Sequence, residues 1–241
     1  MIPLVGIPQV AEGDDLGALV AEAAERAGGL EDRDVVVVAH KIVSKAEGRV
    51  IRIDEVVAGA RARELAGGED PRRIEVILRE STRLLRTRPP LVIAETRHGF
   101  VCASAGVDAS NVPEPDTLVL LPLDPDESAR GIRGRLRELT GRDVGVIVSD
   151  SFGRAWRQGT TDVAIGCAGI RPIDDLRGQR DRLGYELHAT QIALADELAG
   201  AAELVMGKTD DVPAAVIRGV DAAGDGSARE LVMPPERDLF R

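Results

Sequence analysis

Cysteine is nearly absent: Cys102 and Cys167 are the only two in 241 residues. That is too few for a disulfide framework, and neither sits in the C-x-x-C spacing that marks zinc or thiol-redox chemistry. Both are expected as reduced core residues. Long apolar runs are missing as well. MIPLVGIPQV at the start carries no basic residue, and VVVVA at 35–39 is only strand-sized. Neither export nor membrane insertion is indicated, and a cytoplasmic protein is expected. Positive charge is in deficit, 31 lysines and arginines against 41 acids, for a net charge of −10. Such a surface repels nucleic-acid backbones and anionic lipid headgroups, which excludes a general nucleic-acid binder. A phosphate-bearing ligand must be held by a local basic site, or by metal ions that bridge carboxylates to phosphate oxygens.

The common nucleotide signatures are absent too. GKT occurs at 207–209, but a phosphate loop needs glycine at 202, where the chain has Ala202; the nearest upstream glycine, Gly200, is two residues too early. G-x-G-x-x-G does not occur, which removes the usual dinucleotide fingerprint. The three histidines, His40, His98 and His188, lie in no context that marks a nucleophile or a triad.

What is present is a chain of 44% hydrophobic residues, long enough to bury a core, read as one domain over 1–241. Apolar alternation and β-branched runs predict strands at 2–7, 34–40, 117–124, 143–150 and 161–169, with short ones at 203–207 and 214–220. A hairpin is expected about His98-Gly99. Helical patterns cover 14–29, 54–66, 71–85 with Pro71 in its first turn, 124–141 and 182–200. The antiparallel component is substantial.

Three segments carry candidate chemistry. VSDSFGRAWRQG (148–159) ends an apolar strand in Asp150-Ser151 and follows it with Arg154, Trp156 and Arg157. A strand end can present a carboxylate and a hydroxyl to a hard metal, and nearby arginines can fork onto phosphate or carboxylate oxygens. Trp156, the sole tryptophan, could stack on a flat ring. SAGVDASNV (104–112) sets Asp108 and Asn111 among small residues that allow close approach of a ligand. Read alone, it is better explained by an Asx turn. HKIVSKAEGR (40–49) offers His40, Lys41, Ser44 and Lys45 where a strand meets a loop, and lysine there could neutralise phosphate charge.

Taken in order, GIPQVAEGDDL (6–16), HKIVSKAEGR, SAGVDASNV, VSDSFGRAWRQG and MGKTDDVPAAVIRG (206–219) resemble the coenzyme F420-0:L-glutamate ligase family over nearly the whole chain. The resemblance implies an α+β fold with mixed, largely antiparallel sheets and flanking helices. It also implies a homodimer with its sites near the subunit interface, and GTP-dependent addition of L-glutamate to coenzyme F420-0 through an acyl phosphate. By matching positions, Asp108 and Asp150 would bind one divalent metal and Ser151 would contribute to a second, giving two Mg2+ or Mn2+ ions per site, with K+ as a further candidate. GTP would be met by Val10, Ala11, Glu12, Gly13, His40, Lys45, Asn111, Gly207 and Lys208. Arg154, Trp156 and Arg157 are candidates for the acidic substrates, and no general base is assigned.

Archaeal members of that family often carry glutamine or glutamate where this chain has Lys208, and a protonated lysine has no lone pair for a metal. Two-domain bacterial relatives carry a nitroreductase-like domain after the ligase, and none is expected here. Three readings compete: a metal-dependent acyl-activating or phosphoryl-transfer enzyme that uses the same carboxylate pair on another acceptor, a GTP-binding regulator without turnover, and an interaction scaffold, which would show no metal-dependent GTP binding.

Overall fold

Val35–Ala39 is apolar on both sides of its pleat, so both faces of the strand have to be covered. In the computed structural model, which describes residues 1–112 and 114–239, they are. Val36 and Val38 enter a buried cluster with Val20 and Leu136, and Val35 and Val37 enter a second with Leu198 and Met206.

In chain order the elements are β1 (Ile2–Pro3), α1 (Leu16–Arg26), β2 (Val35–Ala39), α2 (His40–Ala46), β3 (Val50–Arg52), α3 (Ala60–Leu65), α4 (Pro71–Glu80), β4 (Ser81–Arg88), β5 (Leu91–Thr96) and β6 (Val101–Ala103). They continue with β7 (Thr117–Val119), α5 (Pro125–Thr140), β8 (Gly145–Arg154), β9 (Arg157–Ala168), β10 (Asp174–Asp175), β11 (Gln191–Ile192), α6 (Leu194–Met206) and β12 (Ala214–Ile217).

The central sheet runs β1-β12-β2-β8-β9. Within it β2 and β8 are parallel, from Val35 opposite Gly145 to Ala39 opposite Ser149, and the other pairs are antiparallel. Helices α1 and α5 cover one face and α6 the other, which is how the alternate valines find their partners. A third buried cluster joins α3 and α4 to β5 and β7 through Leu65, Ile77, Val92 and Leu118. The antiparallel sheet β4-β5-β6 and the pairs β3-β7 and β10-β11 complete an α+β fold whose sheets are mixed and largely antiparallel.

Local chemistry explains the helix ends. Asp124 caps α5, accepting from Glu127 N at 3.0 Å, with Pro125 in the first turn and Gly141 left-handed at the end. On β9, a Cβ at Gly166 would stand 2.2 Å from the Pro125 carbonyl oxygen, so α5 can lie against this strand only over glycine.

Several expected boundaries move. The helix beginning at Pro71 stops at Glu80, because Ser81 Oγ donates to Ile77 O at 2.6 Å and β4 begins there. The helix expected over 182–200 is shifted. Asp181 Oδ1 accepts from Leu183 N and Tyr185 N in a turn completed by Gly184 at φ +91°. The real helix starts at Leu194 and runs on through the strand expected at 203–207. The strand expected at 2–7 is only Ile2–Pro3, and in place of 54–66 a short 3-10 turn precedes α3. The hairpin about His98-Gly99 forms between β5 and β6. Both cysteines are free and buried. Among the described residues no helix is long and apolar enough to cross a membrane.

Candidate active site

The parallel pairing of β2 with β8 stops at Ala39–Ser149, where β2 ends, and that register brings the residues that follow on the two segments together. A crevice outside the carboxyl ends of neighbouring parallel strands is where α/β sheets place ligands. Here a cavity of about 510 Å3 opens. His40, the first residue of α2 and 2% exposed, sets Nε2 3.2 Å from Asp150 Oδ1, while Nδ1 lies 3.5 Å from Ser44 Oγ. The approach to Asp150 is off-line for a hydrogen bond, so Nε2 is a buried nitrogen without such a partner.

The strand carrying Asp150 runs past it, although the sequence predicts that the strand ends in that acid. Bulges after Val148 and Gly153 let β8 continue to Arg154, turn through Ala155-Trp156 and return as β9. The extension puts Ser149 and Ser151 on β8 across from β9, where Asp162 is 5% exposed. Ser149 Oγ donates to Asp162 Oδ2 at 3.0 Å and Ser151 Oγ to Oδ1 at 2.5 Å. The Lys208 ammonium donates to the same Ser151 hydroxyl. Glu203, in the last turn of α6, lines the cavity with them. Burial, and then the charge of Asp162, push its carboxyl up, and Lys208 pulls the other way.

Lysines form the opposite wall. Lys45 is buried and donates to Asn111 O at 2.7 Å, and burial followed by the charge of Lys41 holds it below the ordinary lysine range. Lys41 Nζ lies 2.7 Å from Asp108 Oδ2 and donates to Ser110 Oγ. Asp108 makes the Asx turn that its segment suggested, accepting from Ser110 N at 2.8 Å. Its burial acts to raise its carboxyl, but Lys41 and Ser110 outweigh that and hold it below the usual value. The turn and the site coincide, because Asp108 and Asp150 line one recess of about 180 Å3 together with Ser151 and Cys102.

The donor chemistry fits one hard divalent ion. Among the described residues no three His, Cys, Asp or Glu side chains converge as a cage. An ion between Asp108 and Asp150 would therefore complete its shell with water or ligand phosphates, the mode Mg2+ favours. A second ion at Ser151 does not fit, because that hydroxyl already donates to Asp162 and carries the Lys208 ammonium.

Of the residues expected from sequence, Val10, His40, Lys45, Asn111, Asp150, Ser151, Gly207 and Lys208 line the main cavity, and Asp108 lines the adjoining recess. Ala11, Glu12 and Gly13 do not line the cavity; the lining of that segment comes from Ile7 to Val10 instead. Gly13 N bonds back to Ala46 O at 2.9 Å and Ala11 N to Asp14, which folds 11–14 into an outer turn. Arg154, Trp156 and Arg157 stand on the β8–β9 extension and do not line the cavity; Trp156 is 81% exposed. Lys41, offered by the same segment as Lys45, lines the cavity too, and Asp162 and Glu203 join it with no motif in the sequence to mark them.

Known proteins resemble the chain over nearly its whole length. A family model described as F420-0:gamma-glutamyl ligase matches residues 5–219. The coenzyme F420:L-glutamate ligase of Methanopyrus kandleri is 49% identical over 241 aligned residues, 97% of this chain and 94% of that protein. The protein of the same name from Methanothermobacter thermautotrophicus is 45% identical, covering 100% of this chain and 98% of its own length. That of Archaeoglobus fulgidus is 42% identical, covering 100% and 96%.

Proposed function

The chain belongs to the F420-0:gamma-glutamyl ligase family, and from that premise we propose that it joins L-glutamate to coenzyme F420-0 at the expense of GTP, through an acyl phosphate. The observation that carries the reading is the cavity itself. It gathers Val10, His40, Lys45, Asn111, Asp150 and Gly207 from separate segments of the chain into one space of about 510 Å3.

Amide formation in water needs an activated carboxylate. An oxygen of the acceptor carboxylate attacks the γ-phosphorus of GTP, the bond from that phosphorus to the β–γ bridging oxygen breaks, and GDP leaves with the electron pair. The amino nitrogen of glutamate then attacks the acyl carbon, the bond from carbon to the phosphate oxygen breaks, and the amine proton leaves with the phosphate. Little of this asks for covalent help from the protein; positioning and charge stabilisation do most of it.

Lys45, anchored on Asn111 O, is suited to nucleotide phosphates. His40 lines the cavity with Nε2 3.2 Å from Asp150 Oδ1, a buried nitrogen beside the proposed metal ligand. Held by Asp108 and Asp150, a Mg2+ or Mn2+ ion would neutralise phosphate charge and polarise the phosphorus. Arg154 and Arg157 are assigned to the acidic acceptor and Trp156 to its ring, and K+ is a further cation. In a homodimer, also proposed, a partner's cavity could be served by the exposed Trp156 and Arg157.

The test is GDP release by the purified protein with GTP, Mg2+ or Mn2+, L-glutamate and F420-0, with the deazaflavin followed by mass. Glutamate-dependent GDP release with gain of one glutamyl residue is expected. GTP binding without either signal would point to another acceptor or to a regulator.

A further inference from the structure

Lys208 is placed by its neighbours more firmly than an exposed lysine usually is. Gly207 ends α6 at φ +62° and ψ 176°, and a Cβ there would stand 2.3 Å from Asp210 Oδ2, so the sharp exit from the helix needs glycine. Asn111 Nδ2 donates to the Lys208 carbonyl at 3.3 Å, fixing the backbone. At the far end, Nζ donates to Ser151 Oγ. The proton of that hydroxyl is directed to Asp162 Oδ1, which leaves its lone pairs to the ammonium. The carboxylate of Glu203 acts on the same ammonium from α6.

Ser151 lies beside Asp150 and lines both the main cavity and the recess shared with Asp108. A hydroxyl there, with carboxylates behind it, is a place where a second hard ion could sit against a phosphate chain. The ammonium already holds that place. It has no lone pair with which to join a coordination shell, and its charge repels an incoming cation at such range.

We propose that Lys208 is a built-in cation at the Ser151 end of the cavity, donating to a terminal phosphoryl oxygen where a second divalent ion would otherwise be needed. The protein then takes a single divalent ion per protomer, at Asp108 and Asp150. Lys208 makes and breaks no covalent bond. The proposal rests on the reading that nucleotide and acceptor meet in this cavity.

The experiment counts bound Mn2+ by the electron paramagnetic resonance signal of the free ion, in titrations of the full chain with a non-hydrolysable GTP analogue. Wild type is expected to bind about one ion per protomer, Lys208→Arg the same, and Lys208→Gln about two, because the amide oxygen adds a ligand as the charge is removed. Two ions on wild type would overturn the proposal. So would a count on Lys208→Gln no higher than on wild type, or no Mn2+ bound although the analogue binds. Failure of the analogue to bind at all would strike the nucleotide reading itself, and is separately visible as absent calorimetric heat.

Discussion

Ser151 and Asp162 face each other across β8 and β9, and the serine hydroxyl donates to the carboxylate at 2.5 Å while Ser149 holds the other oxygen at 3.0 Å. One buried carboxylate therefore orients two hydroxyls at the cavity. Asp162→Ala leaves both without their acceptor, and an unsatisfied buried polar group costs about 1–3 kcal/mol. The variant is expected to lose about 2 kcal/mol of unfolding free energy in urea melts, and Asp162→Asn less. Wild-type stability of the alanine variant would remove Asp162 as the clamp.

Asp150→Asn is expected to cut glutamate-dependent GDP release by more than about 100-fold, beyond what loss of an outer-shell partner of a metal usually costs. Fold and melting temperature should stay close to wild type, since the side chain accepts from its neighbour Ser151 N and packs no core. Steady-state kinetics with circular dichroism decide it; near-normal turnover would take Asp150 out of the reaction.

Asp15 should make acid stability measurable at a single residue. The bond from Ala18 N, and then the Arg135 guanidinium, hold its carboxyl below the usual value. A folded pKa below the unfolded one means that the contribution is present above the unfolded value and fades as pH falls through the folded one, here below about pH 4. Asp15→Asn keeps the helix cap without titrating, so its melting temperature should fall less steeply than that of wild type from about pH 4 downward. Asp15→Ala, which has no cap, should lose about 1 kcal/mol at neutral pH. Parallel acid limbs for wild type and Asp15→Asn would contradict the assignment.

Both thiols should be inert in the native protein. Burial, with the charge of Asp150 at Cys102 and of Asp126 at Cys167, pushes each up to about 12, and only a thiolate attacks an alkylating agent. Iodoacetamide at about pH 8 is expected to leave the native mass unchanged and to add two adducts after denaturation. Rapid native alkylation at either position would mean that the buried strands open readily.

Much of this arrangement could be read from the residues, and what could not has definite causes. β2 was legible because four valines in a row suit a strand covered on both faces, and Asp150-Ser151 because they break an apolar run. Helix α2 was hidden, since HKIVSKA follows the strand with no side-chain cap to announce it. The pattern over 182–200 misled because Leu183 and Tyr185, which give it its apolar spacing, are exposed in a turn built by Asp181. Asp162 could not be found by motif, because its partnership with Ser151 depends on the β8–β9 register and its bulges. Glu203 opens ELVMG, whose apolar run predicts a strand, but it belongs to the last turn of α6. The reach of Lys41 to Asp108 joins positions far apart in sequence and left no local trace.

The pairing of β2 with β8 also governs how the chain can come together. Val35 meets Gly145, and its other neighbour, β12, lies later still, so the valine strand is made long before either partner exists. Contacts so distant in sequence form slowly, because a long loop must close first. During synthesis VVVVA therefore spends its first moments as an unpaired, uncharged strand of the kind that recruits other chains. A nascent chain stalled before β8 should aggregate, whereas one that has emerged past β12 can close the sheet, and the crevice beyond the last β2–β8 pair comes into being only with that closure.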